Sequence, residues 1–147
     1  MKRRATIWML AICVALALVF TASSAMAEDS ITVEVRAIAA GIHDDSFDPA
    51  LEDLRGRLER GFRDYTSFEQ ITRRSREISL DSFADFTLPT EDTLTISFRG
   101  LDDHLVKLGV TLGDRLDTSL RVSPGSTFFQ AGLRYDRRML VLAITVE

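Results

Sequence analysis

The chain of 147 residues carries 22 acidic against 18 basic side chains, a formal net charge of −4, and 46% of its residues are hydrophobic. That length holds one domain and leaves no room for two of ordinary size, while the acidity argues against nucleic acid or an anionic membrane surface as the main partner. The one cysteine, Cys13, lies in the N-terminal segment, so the rest has no disulfide, no thiolate nucleophile and no sulfur ligand for a metal.

Lys2-Arg3-Arg4, an uncharged apolar run from Ala5 to Phe20, and Ala25-Met26-Ala27 together read as an export signal of residues 1–27 with cleavage after Ala27. The mature domain is then 28–147, located in the periplasm or secreted. The competing reading is a retained anchor, but the apolar run falls short of the roughly 20 residues of a spanning helix. The polar stretch Thr21 to Ser24 before two small alanines favours cleavage, so no stable membrane span is expected in the mature protein. Ile12 before Cys13 lacks the small residue that a lipoprotein needs. The signal holds three cations and no acid, so 15 of the 18 basic residues remain against 22 acids and the formal charge becomes −7. A cysteine-free domain in an oxidising compartment must be held by packing alone.

Ile31, Val33, Val35, Ala37 and Ala39 alternate with Thr32, Glu34, Arg36 and Ile38, which predicts a half-buried strand over 31–40. A polar loop follows, Gly41 to Ser46. Asp48 before Pro49 is a helix start, an N-cap carboxylate ahead of a proline whose missing N–H costs nothing. Leu51, Leu54, Leu58 and Phe62 recur at helical spacing with charged residues between them, so one amphipathic helix is expected over about 49–62. Tyr65 to Thr72 and Glu77 to Leu80 read as strand, interrupted or bulged at Arg73-Arg74-Ser75-Arg76, where four polar residues break the alternation.

Phe86 to Leu88 and Leu94 to Phe98 flank Pro89-Thr90-Glu91-Asp92, a hairpin by its turn chemistry. Further strands are predicted over Leu105 to Leu112, Leu116 to Val122, Ser126 to Ala131 and Met139 to Val146, each set off by turn residues. The last strand is apolar at nearly every position, which requires cover on both faces, so it belongs at the centre of a sheet with the helix on one side. The expected architecture is α+β: a strand, one amphipathic helix, then an antiparallel meander forming a curved sheet or small sandwich.

Reactive chemistry is sparse. His43 and His104 both sit in loops, and no H-x-x-H, C-x-x-C or G-x-S-x-G pattern accompanies them. Asp44, Asp45 and Asp48 place three carboxylates in five residues, which with His43 form a weak candidate ion site. They lack the glycine and terminal glutamate of a calcium loop, and helix capping accounts for them as well. Of the seven arginines between 55 and 76, most alternate with acids; Arg73, Arg74 and Arg76 do not, and they form a candidate anion or acidic-patch contact. Phe128 and Phe129 are adjacent in a strand and must point to opposite faces, which makes Ser126 to Ala131 a candidate interaction edge.

The export signal, the run Phe47-Asp48-Pro49-Ala50-Leu51-Glu52-Asp53-Leu54-Arg55-Gly56-Arg57-Leu58, the segment Tyr65-Thr66-Ser67-Phe68, and the pair of strands Leu116–Leu120 and Met139–Thr145 resemble small exported proteins of uncharacterised function from Gram-negative bacteria. The resemblance spans most of the mature chain, rests on structural residues, and implies no catalytic residue. The chain departs from that pattern at Glu69-Gln70, where apolar residues stand in it. Ala131-Gly132-Leu133 followed by the last strand is also faintly similar to the ending of secretin-type outer-membrane assembly domains.

The reading that follows is an exported, non-catalytic interaction module without cofactor, docking on an envelope or secretion-related protein through a sheet edge. The alternative is a small-ligand or divalent-ion binding domain, or minor hydrolase, built on the Asp44-Asp45-Asp48 loop. Intact-mass analysis of the exported protein should give a chain beginning at Glu28; a mass that retains residues 1–27 would instead establish an anchor.

Overall fold

The computed structural model describes residues 29–147, so the expected export signal of residues 1–27 and its expected cleavage after Ala27 lie outside the described residues. Eight strands and a short helical segment make up this part: β1 (Ser30–Gly41), a 3-10 helix (Pro49–Leu54) running into α1 (Arg55–Gly61), then β2 (Ser67–Ser79), β3 (Phe83–Thr87), β4 (Thr93–Asp102), β5 (Leu105–Leu112), β6 (Leu116–Val122), β7 (Thr127–Tyr135) and β8 (Arg138–Val146). The strands divide into two antiparallel four-stranded sheets, ordered β2-β1-β8-β7 and β3-β4-β5-β6. The class is α+β with helix as the minor part.

Only the second sheet is a simple meander. In the first, β8 returns to lie between β1 and β7, because a strand with no polar face must have neighbours on both edges and cover on both faces. Leu140, Leu142, Ile144 and Val146 face a cluster shared with the second sheet, joined there by Ile31, Val33, Val35 and Ala37 of β1. The second sheet contributes Phe86, Leu94, Ile96, Phe98, Leu108 and Val110. On the opposite face, Val141 and Ala143 meet the helical segment.

β1 is buried more deeply than a half-buried strand. Ile31 to Val35 follow the expected alternation, but every residue from Val35 to Gly41 is buried, Arg36 included, because the helical segment covers the outer face over that end of the strand. The helix is also different in kind from the single α-helix expected. Its first six residues are 3-10, and a turn of three residues sets Leu51 and Leu54 directly above one another, both buried against the sheet. Asp48 caps it as its position suggests, Oδ1 accepting the Ala50 N–H at 2.9 Å.

β2 runs unbroken for 13 residues, so the expected interruption at Arg73 to Arg76 does not occur. The irregularity falls earlier: Ala37 pairs with Thr72 and Ile38 with Gln70, leaving Ile71 as the extra residue. The polar run is continuous strand because β2 is an edge, where side chains beyond the reach of either cover can face water. Glu69 and Gln70 fit that position, exposed and half-buried, with deep burial confined to Ser67, Phe68 and Ile78. β5 and β6 coincide with the predicted bounds, whereas β7 continues past Ala131 through a second bulge at Gly132, whose φ of +119° suits a residue without Cβ.

Leu51 and Leu58 of the helical segment are both fully buried against the sheet. Leu58→Ala should cost about 3 kcal/mol, as buried leucine truncations do, seen as a lower urea midpoint at unchanged slope. Leu101→Ala, at a site 61% exposed, should cost less than about 0.5 kcal/mol.

Candidate functional site

Phe128 and Phe129 point to opposite faces, as adjacent strand residues must, and each is half-buried rather than presented to solvent. Phe128 packs on the cluster between the sheets and Phe129 on the cluster beneath the helix. The Phe129 ring meets Phe62 edge-on, centroids 5.9 Å apart, and the Arg57 guanidinium lies 5.1 Å from its centroid. The same arginine donates to the Thr127 carbonyl. Both aromatics therefore anchor β7, and what this segment offers is its backbone edge.

The four edge strands differ sharply in how that edge is guarded. β2 carries Glu69, Arg73, Arg74, Arg76 and Glu77. Arg74 and Arg76 pair with Val35 and Val33, so they stand on the core-side face of the strand, a device that blocks pairing with another chain. β3 has only five residues, with Asp85 at its middle, and β6 carries Asp117 and Arg121. β7 has nine residues and none from Thr127 to Leu133 is charged or proline. The Gln130 amide turns onto the neighbouring Ala131 carbonyl at 3.2 Å, and Arg57 engages the Thr127 carbonyl at the start of the strand, so the stretch of edge left without a charged neighbour runs from Gln130 to Leu133.

Past its bulge, β7 borders a recess of about 310 Å³ floored by Ala40, Tyr65, Leu133 and Met139. The Tyr65 hydroxyl has only the weak acceptor Met139 Sδ, at 3.4 Å. Arg134, Arg137 and Arg138 rim the recess. Arg138 is paired with Glu69 at 2.6 Å, while Arg134 and Arg137 form no ion pair among the described residues. Sequence reading missed this recess: its residues come from three separated segments, and only the Asp136-Arg137 turn, with φ values of +46° and +64°, brings the arginines back beside Tyr65.

The remaining candidates do not converge. Arg73 is held by Glu34 at 2.9 Å, on the opposite face of β2 from Arg74 and Arg76. His43, Asp44 and Asp45 are exposed in the loop before the helix, and His104 lies in the β4–β5 turn far along the chain. Both Asp48 oxygens already accept backbone N–H groups, Oδ1 from Ala50 and Oδ2 from Gln70 at 3.0 Å. Among the described residues no three His, Cys, Asp or Glu side chains are grouped to hold a metal, and no helix is long and apolar enough to cross a membrane.

A charged network centred on a buried arginine ties the helix to the sheet. Arg36, 8% exposed, bonds Glu34 through Nε and Asp53 through Nη1, each at 2.9 Å, so the guanidinium joins β1 to the 3-10 helix. Burial would raise the Glu34 carboxyl, but hydrogen bonds from Arg36 and Arg73 outweigh it and hold it below its ordinary value. The Arg36 hydrogen bond likewise lowers Asp53. No family model, no curated protein and no solved structure matches this chain.

The two lowered carboxyls set an acid limit on the helix. The unfolded chain takes up protons near the ordinary 4.5 of Glu34 and 3.8 of Asp53, the folded chain only at lower pH. The stabilisation is thus complete above those values and is lost as pH falls through the lowered folded ones. Urea unfolding at pH of about 6 and about 3 should show a smaller acid loss in Asp53→Asn than in the parent; an equal loss would mean that the Arg36 contact contributes nothing.

Proposed function

We propose that this is an exported, non-catalytic interaction module that docks an extended segment of an envelope protein on the free edge of β7. The observation that carries the reading is the asymmetry among the edges: three are short or charged, and β7 has no charged residue over seven positions and no strand on its outer side, where Arg57 engages only the Thr127 carbonyl at its start. An unguarded edge is a standing aggregation risk, retained where strand addition is the function. Export rests on the N-terminal pattern from Lys2 to Ala27, and the resemblance to small exported Gram-negative proteins agrees with it. The apolar cluster shared by the two sheets supports reading them as a small sandwich, a rigid platform for such an edge.

The partner's chemistry follows from what flanks the edge. Arg134 and Arg137 stand at its far end beside an apolar recess. The matching segment is β-prone and uncharged along its middle, with an apolar residue and acidic side chains where it passes Tyr135. Nothing about Asp44, Asp45, Asp48 and His43 favours the ion-site alternative over this, because the Asp48 oxygens are engaged in capping and in holding β2.

Fluorescence anisotropy with a synthetic peptide of alternating Val and Thr ending in Asp-Glu should show saturable binding, weakened about tenfold when the ending is Lys-Lys. Gln130→Lys, which places on β7 the charge that guards other edges, should abolish binding while leaving the far-ultraviolet circular dichroism unchanged, the lysine stem letting its ammonium reach water from this half-buried position. Binding that survives Gln130→Lys but is lost on Ser75→Pro in β2 would move the surface to the other edge. Self-association of the full mature chain, lost with the same Gln130→Lys change, would make the occupant a second copy.

A further inference from the structure

We propose that the outer face of the second sheet binds a phosphate- or sulfate-type oxyanion through Arg99, Lys107, Ser119 and Arg121. This site is on the opposite sheet from β7 and is independent of the strand-edge reading. Lys107 and Arg121 sit directly across from one another in the β5–β6 pairing. Like charges at that position repel at the closest cross-strand spacing and destabilise the sheet. Acids are plentiful in this chain, 22 against 18 basic residues, yet the residue facing Lys107 is another cation. A third cation, Arg99, is added by the β4 bulge. Phe98 pairs with Leu108 and Gly100 with Lys107, so Arg99 is the extra residue, and Gly100 takes a φ of +117° to allow it.

The backbone beneath makes room for that guanidinium. Gly109 lies in the middle of β5, where a Cβ would run into Ser97 Oγ and stand 2.6 Å from Arg99 Nη2 and 2.9 Å from its Cζ. With no side chain there, Arg99 lies across the strand and donates through Nη1 to Ser119 Oγ at 2.9 Å. Two carboxylates border the group: Asp102 pairs with Arg121 at 2.9 Å, and Asp117 stands two residues from Ser119 on the same face of β6. Among the described residues Arg99 and Lys107 form no ion pair. Together these side chains line a shallow groove of about 630 Å³.

The donor set selects the ligand class. Two guanidinium groups, an ammonium and a hydroxyl offer more donors than the two oxygens of a carboxylate accept, and they match a tetrahedral oxyanion carrying up to two charges. The groove is larger than one such ion, which leaves space for a group esterified to it. A free phosphate or sulfate ester and the phosphate of an anionic lipid share this chemistry.

Calorimetric titration of the mature protein with inorganic phosphate at low ionic strength should give saturable binding, weakened about five- to tenfold in Lys107→Gln and in Arg99→Gln. Gly109→Ala, which displaces Arg99 without removing a charge, should weaken it comparably. In phosphate-free buffer Lys107→Gln should raise the melting temperature by about 1–4 °C, as relief of a cross-strand repulsion does, and should lose the upshift that phosphate gives the parent. Co-sedimentation with phosphatidylglycerol but not phosphatidylcholine vesicles, abolished by the same variants, would assign the oxyanion to a lipid headgroup. Phosphate and vesicle binding that are both absent, or that are unchanged in all three variants, would overturn the site.

Discussion

The fold depends on covering both faces of the β1–β8 pair. Eight consecutive residues of β8, Met139 to Val146, include only one polar side chain, Thr145, and it bonds Thr127 across the sheet at 2.6 Å. A strand of that kind costs several unfavourable exposures in any edge position. It is stable only with β1 and β7 on its sides, the second sheet on one face and the helix on the other. Once β8 is central, β2 and β7 are forced to the rims of the first sheet, and the free edges of the molecule are decided.

What each rim carries is then a matter of local sequence. β2 combines a bulge at Ile71 with arginines on both of its faces, so its exposed backbone is shielded by charge and by distortion. β7 spends its side chains differently. Phe128 and Phe129 are used to fasten the strand to two separate clusters, and no charge is placed between them and Leu133. The two rims of one sheet thus have opposite characters, although each pairs with a central neighbour.

Much of this was legible in the chain. Hydrophobic continuity located β8 at a sheet centre, alternation gave β1, and turn residues bounded β5 and β6, since each of these signals is local. Asp48-Pro49 marked the helix start for the same reason. The 3-10 geometry was not legible, because Leu51, Leu54 and Leu58 satisfy three- and four-residue spacings alike and only the sheet beneath decides between them. The bulge was misplaced because four polar residues in β2 look like a break until the strand is known to be an edge. Phe128 and Phe129 were legible as opposed side chains, but not as anchors, since no single-strand pattern shows what lies above and below. Arg99, Lys107 and Arg121 converge only through the register of three strands and one bulge, which no sequence period encodes.

The helix links the buried network to the candidate edge. Arg36 ties Asp53 to the sheet at one end of the helical segment, and at the other Arg57 and Phe62 bear on Thr127 and Phe129. A short helix of this kind has little stability of its own and is held by its contacts. Loss of the Arg36 pairing would therefore act twice, leaving Glu34 and Asp53 short of a partner and loosening the residues that fix the start of β7. The charge buried in the first sheet does not touch the β7 edge, yet it holds the helical segment whose Arg57 and Phe62 bear on that edge. Packing supplies the affinity of helix for sheet, and the ion pairs fix which way round the helix sits, which is the division of labour expected where a guanidinium is almost completely removed from water.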